Sequence, residues 1–202
     1  MTQHDRLEIR ELVENWALWR DAGDWERFKT VWAADGYMTA TWFQGSAEEF
    51  MEASHDSFDL GVNIIHLLGG ITVEVSADRA VAQTKMQIMQ RSEVHGVEVD
   101  VTCTGRFYDF LRKRDGKWEL VRRQPIYEKD TMVPVNPAAR VELEQELLER
   151  FPVGYCHLAY LQSQAGFSIA TGLPGLKGPV VENLYAEGSG WLAGSEQPGR
   201  PT

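Results

Sequence analysis

Apolar residues recur at helical spacing near the start of the chain. Ile9, Leu12, Val13, Trp16 and Trp19 fall on one side of a helix predicted over Leu7 to Arg20. Asp21-Ala22-Gly23 ends that helix, since the glycine can take the left-handed conformation beyond the last turn. Asp24 is suited to cap a second helix that carries Trp25, Phe28, Val31 and Trp32 on one stripe. Tyr37 to Phe43 reads as a strand. Ser46-Ala47-Glu48-Glu49 has the form of a capping box, opening a third helix that runs to about Phe58. An apolar run from Asn63 to Gly70, broken by His66, comes next. Strands are predicted at Ile71–Ser76, Arg79–Val94, Val97–Lys113 and Trp118–Tyr127. Short turn signals separate them at Ala77-Asp78, His95-Gly96 and Asp115-Gly116, so successive strands should be antiparallel.

Helices followed by a meander define an α+β chain. A long, twisted, mostly antiparallel sheet can curl around the N-terminal helices as a cone and enclose a cavity. After Tyr127 the pattern changes. Asn136-Pro137 supplies a cap and a first-turn proline for a charged helix over Ala138–Phe151. Beyond it, a Gly- and Pro-rich tail still carries Tyr155, Leu158, Tyr160, Leu161, Phe167, Leu173, Leu176, Tyr185 and Trp191. So many large apolar groups predict a tail packed on the domain or on a neighbouring subunit, with only the last ten or so residues free. The expected division is a cone domain at 1–132 and a C-terminal helical extension at 133–202.

Composition narrows the function classes. The 202 residues are 43% hydrophobic and 25% charged, with a net charge of −10, which suits an ordinary globular protein and argues against nucleic acid as a partner. No apolar run is long enough to span a bilayer, and the N-terminus lacks the apolar core of a signal peptide, so no membrane association and a cytoplasmic location are expected. Cys103 and Cys156 lack C-x-x-C spacing and read as buried, inert thiols. His4, His55, His95 and His157 show no metal-ligand spacing, so no metal is expected. A phosphate loop, a nucleophile elbow and a nicotinamide fingerprint are all missing, so no cofactor is expected either.

The remaining chemistry centres on two residues. His66 sits within Ile64-Ile65-His66-Leu67-Leu68 and needs a hydrogen-bond partner to offset desolvation. On the residues alone it is either a core histidine satisfied by a carbonyl or a functional base. Asp21, at the corner of the first two helices, is either a solvated helix-end carboxylate or that partner. No spacing rule links the two.

Three segments in order do link them. Asp21-Ala22-Gly23-Asp24-Trp25, His66-Leu67-Leu68-Gly69-Gly70 and Asp115-Gly116-Lys117-Trp118 resemble the matching segments of scytalone dehydratases. Over about residues 5 to 130 the chain resembles the SnoaL-like branch of the nuclear-transport-factor-two-like superfamily, which also includes hexachlorocyclohexane dehydrochlorinases. The resemblance implies that His66 is a general base and that Asp21 orients it and compensates its charge. It implies a cofactor-independent lyase that takes a proton from a small hydrophobic, cyclic or aromatic substrate and eliminates water or halide. An isomerase with the same dyad, or a non-catalytic small-molecule-binding protein, is the alternative. A homo-oligomer, dimer or trimer, is also implied. Departures accompany the likeness: Thr104, Arg20 and Ala40 stand where the dehydratases carry a histidine and two tyrosines. Trp16, Met38, Trp42, Leu67 and Met86 are the expected apolar walls. Arg106 and Arg122 are the candidates to stabilise developing negative charge. Alternation sets Arg106 with Thr102, Thr104 and Tyr108, opposite the more apolar Val101, Cys103 and Phe107. The same rule sets Arg122 on the face of Trp118 and Leu120.

Overall fold

A computed structural model describes residues 3–196 and 198. Helix α1 (Gln3–Ala22) buries Ile9, Val13, Trp16, Ala17 and Arg20 along one stripe. Gly23, at φ +69°, turns the chain out of it. Asp24 caps α2 (Trp25–Phe28) by accepting the backbone N–H of Arg27. The helix expected to reach Trp32 stops at Phe28, because a single 3-10 turn (Lys29–Val31) delivers Trp32 as the first residue of strand β1 (Trp32–Thr39). Pairing of Trp32 with Leu120 takes up the backbone groups that a longer helix would have used. Strand β2 (Gln44–Ser46) leads into α3 (Ala47–Asp59), where the Ser46–Glu49 capping box is complete.

Four long strands follow: β3 (Asn63–Ser76), β4 (Arg79–Val94), β5 (Val97–Arg114) and β6 (Lys117–Pro134). The sheet order is β2-β1-β6-β5-β4-β3, antiparallel throughout except for the parallel β1–β6 pair. The apolar run containing His66 is the first half of β3 rather than a separate segment. Bulges between Leu68 and Ile71, at Thr104/Gly105 and at Phe110/Leu111 bend the strands, which lets the sheet curve around α1 and α3. The inner face holds the main core, where Trp16 packs against Phe28, Trp32, Phe50 and Phe107.

The C-terminal part adds α4 (Gln145–Leu148), α5 (Cys156–Gln164) and α6 (Pro179–Ala193). The helix expected over Ala138–Phe151 is reduced to the single turn α4. Before it, Ala139, Val141 and Leu143 are half-buried while Arg140, Glu142 and Glu144 are exposed, a two-residue alternation that suits extended chain. Helix α5 joins the main core through Leu158, Ala159, Tyr160 and Leu161. Helix α6 lies on the opposite, outer face of the sheet, where Val181, Leu184 and Trp191 pack with Val81, Tyr108 and Phe110. Trp191 anchors it by donating its indole N–H to the Leu111 carbonyl at 3.2 Å, beneath the Arg79 guanidinium. Of the end expected to be free, the Ser195 carbonyl accepts a hydrogen bond from Arg79, and residues 197 and 199–202 lie outside the described residues. No helix among the described residues is long and apolar enough to cross a membrane.

Candidate active site

The end of α1 and the first half of β3 converge on one polar contact inside the cone. His66 Nδ1 lies 2.7 Å from Asp21 Oδ1, and the His66 backbone N–H donates to Oδ2 at 2.5 Å. One carboxylate therefore holds both the ring and the strand that carries it. Alternation along β3 turns Ile64 and His66 inward, while Ile65 and Leu67 are 50% and 58% exposed on the other face. The imidazole meets Trp16 edge-on, with ring centroids 5.2 Å apart, and Phe107 lies at 6.1 Å. An Nδ1–H···carboxylate bond leaves the lone pair on Nε2, which selects the tautomer a base requires.

The cavity around this pair is lined by Trp16, Arg20, Met38, Trp42, Phe50, Ile88 and Tyr127, with Leu158 and Gln162 closing it from α5. Its free space is about 30 Å³, enough for one or two waters. The cover is tied down on its polar side. Thr41 Oγ1 donates to Gln162 Oε1 at 2.5 Å, and Gln162 Nε2 donates to Gln90 at 3.3 Å. Phe167, on the segment after α5, packs on Trp42.

Burial is the main influence on His66 and lowers its pKa below the ordinary histidine value. The Asp21 hydrogen bond and charge oppose this, and Arg20 and Arg123 add to the lowering. The resting ring is thus neutral near pH 7. Arg20 is itself buried, which lowers its pKa, and Asp21, with Oδ1 3.6 Å from Nη1, is its counter-charge. Burial holds the Tyr127 phenol well above its usual range, so this hydroxyl, hydrogen-bonded to Thr41, stays protonated.

Of the residues predicted from the sequence, Asp21, His66, Trp16, Met38 and Trp42 come together here. Leu67 does not, because its side chain points away from the helices. Met86 is buried in the main core beside Leu68 and Gly105 but does not line the His66 cavity. Arg106 lies on the outer face, bonded to Glu128 at 2.6 Å, to Gln83 and to the Tyr185 hydroxyl of α6 at 2.6 Å. Arg122 is also outside, paired with Glu187 of α6 at 2.6 Å and 5.3 Å from the Phe110 ring centre. The physical cause is the bulge in β6. Phe110 pairs with Arg122 but Leu111 pairs with Leu120, so Val121 is an extra residue and reverses the alternation beyond it. Arg123 takes the inward position instead. It is fully buried, bound by Asp109 through two 2.7 Å hydrogen bonds, and lies 4.1 Å from the centres of both the Trp16 and Phe107 rings. Thr104 is outside as well, against Gln87. His55 is half-exposed over Trp25 and outside the cavity.

Sequence reasoning treated Arg20 only as a departure and missed Arg123, Tyr127 and Gln162. An Arg-Arg step in a half-buried strand was the one signal available for Arg123, since regular alternation turns one of two neighbours inward without saying which. Cys103 is buried, and its thiol is pushed far above the usual value by burial. Cys156 is half-buried and pushed up to about 11 by burial and the neighbouring Asp130.

Comparison with known proteins agrees with this architecture. The chain is 35% identical to pea pathogenicity protein 2 of Fusarium vanettenii over 95% of its own length and 87% of that protein. A solved protein of Novosphingobium aromaticivorans assigned as a scytalone dehydratase superposes with a TM-score of 0.54 at 18% identity, covering 68% of this chain and 95% of that one. A hexachlorocyclohexane dehydrochlorinase of Novosphingobium barchaimii gives 0.55 at 17% identity, covering 69% and 96%. At such identities the two solved structures share the fold alone. The model of the SnoaL-like domain matches residues 1–124, and the chain belongs to this family, within the nuclear-transport-factor-two-like superfamily.

Proposed function

We propose that the protein is a cofactor-independent lyase in which His66 is the general base and Asp21 its orienting carboxylate. The observation that carries this reading is the 2.7 Å Asp21–His66 contact within an apolar cavity. His66 Nε2 takes a proton from a substrate carbon, and the C–H electron pair becomes the new C=C bond. The leaving group departs as halide with its electron pair, or as hydroxide that recovers the proton from the imidazolium and leaves as water. Asp21 stabilises the imidazolium formed in between. Arg20 supports the developing negative charge on a substrate oxygen from its buried position on the cavity wall. Trp16, Met38, Trp42 and Phe50 favour a small cyclic or aromatic substrate. Room for one or two waters is far below the several hundred Å³ that ligand sites offer. Substrate entry therefore requires the side chains that wall the cavity to open.

The test is a mass-spectrometric screen of cyclic β-hydroxy ketones and vicinal halides for loss of water or hydrogen halide. Turnover by the wild type should fall about 10²- to 10⁴-fold in His66→Ala. Turnover that survives His66→Ala unchanged would remove the mechanism.

A further inference from the structure

A second cluster of chemically competent side chains lies outside the His66 cavity, where the start of α5 meets β6. Asp130 comes from β6, and Cys156 and His157 form the first turn of α5. Asp130 Oδ1 lies 2.9 Å from His157 Nδ1 and 3.6 Å from Cys156 Sγ, while the sulfur and that nitrogen are 3.5 Å apart. The carboxylate is almost wholly buried, and its other oxygen accepts the Leu158 backbone N–H at 2.8 Å.

These separations can be compared with a metal's requirement. Zinc binds sulfur at about 2.3 Å and nitrogen or oxygen at about 2.0–2.1 Å. At tetrahedral angles the ligand atoms then stand about 3.5 Å apart for S–N and S–O, and about 3.3 Å for N–O. The two sulfur edges already have these lengths, and the N–O edge needs to open by only a few tenths of an ångström. Leu158 N–H fixes the carboxylate from behind, as outer partners of metal ligands do. Among the described residues this is the group of three such side chains whose ligand atoms converge.

We propose that Asp130, Cys156 and His157 form a three-ligand site for a zinc-like divalent transition metal, with water in the fourth position. Binding releases the Cys156 thiol proton, and the imidazole proton moves from Nδ1 to Nε2 so that the Nδ1 lone pair meets the metal. A mixed sulfur, nitrogen and oxygen set suits zinc or cobalt rather than magnesium or calcium. The site bridges β6 and the helix whose Leu158 and Gln162 cover the cavity, so an occupied site pins that cover to the sheet.

The competing account is a hydrogen-bonded helix cap without metal. The two are separated by titrating the reduced, metal-free, untagged full-length chain with Co²⁺ alone and recording absorption. The expected result is one equivalent bound, with a thiolate-to-cobalt band in the near ultraviolet and intense tetrahedral bands in the visible. The thiolate band should vanish in Cys156→Ser and persist in Cys103→Ser. Asp130→Asn keeps an oxygen for the Leu158 N–H, and should weaken Co²⁺ binding at least about tenfold. Absence of a thiolate band in the wild type, or its survival in Cys156→Ser, would overturn the proposal. The wild-type titration decides the question even if a variant fails to fold.

Discussion

Replacing Asp109 by asparagine keeps the shape of the side chain but removes the charge that Arg123 faces. Both residues are fully buried, so water cannot take the place of the lost carboxylate. The guanidinium is already short of partners, since its Nη1 makes no hydrogen bond. Two 2.7 Å bonds to a carboxylate become at best one bond to a neutral amide oxygen, and an uncompensated cation is left between the Trp16 and Phe107 rings. Ring faces offset part of that charge but do not neutralise it. Breaking a buried ion pair from one side costs about 3–5 kcal/mol. For a domain of this size each kcal/mol lowers Tm by about 2–4 °C, so Asp109→Asn should melt roughly 6–20 °C below the wild type. Circular-dichroism melts and urea titrations measure this directly. The double variant Asp109→Leu with Arg123→Met removes both charges and should recover most of the loss, because apolar groups of similar volume often replace a buried pair at little cost. A single variant within about 1 kcal/mol of the wild type, or a double variant no better than the single, would refute the argument.

The lowered pKa of His66 sets the sign of a pH effect. The base must be neutral, so kcat/KM should be flat near pH 7 and fall on the acid side, with its limb below about 6.5. Arg20→Gln removes a cation that disfavours the imidazolium and should move the limb upward; a wild-type limb above 6.5 would contradict this. Stability follows the same sign: the folded state resists protonation, so stability present above pH 6.5 is lost as pH falls through the window below it, read from urea midpoints. Gly105→Ala should be strongly destabilising, since a Cβ there would stand 2.0 Å from the Ile126 carbonyl oxygen across the bulged β5–β6 ladder. A soluble, wild-type-like Gly105→Ala melt would show that the bulge relaxes. Trp191→Ala removes the buried anchor of α6 and should cost about 3–5 kcal/mol, with faster hydrogen exchange in Pro179–Ala193 as the local signature.

Much of the fold was legible because local rules agreed with one another. The Ser46–Glu49 box, the turns at Ala77, His95-Gly96 and Asp115-Gly116, and the long alternating runs between them fixed α3 and the β3–β6 meander. Element ends were less legible. Lys29–Trp32 satisfies helical spacing as well as a 3-10 turn followed by a strand, and only the pairing of Trp32 with Leu120 decides between them. Ala138–Phe151 looked helical from its cap and charges, yet Val141 and Leu143 bury best in extended chain against a core that local reading does not reveal.

For the site, the sequence by itself determined the ingredients. It put a carboxylate at the close of an amphipathic helix, a histidine in an apolar strand and tryptophans around the corner, and ordered likeness to a family joined the first two. Tertiary structure alone decided which arginine of β6 faces the core. A one-residue bulge at Val121 turns Arg122 out to Glu187 and brings Arg123 in between Trp16 and Phe107. Alternation is a local rule, whereas a bulge arises from how two strands pair across the sheet, so no reading along β6 can recover it. Likewise, Asp130 meets Cys156 and His157 only because α5 packs back on β6, a contact between residues 26 and 27 positions apart that no spacing pattern encodes.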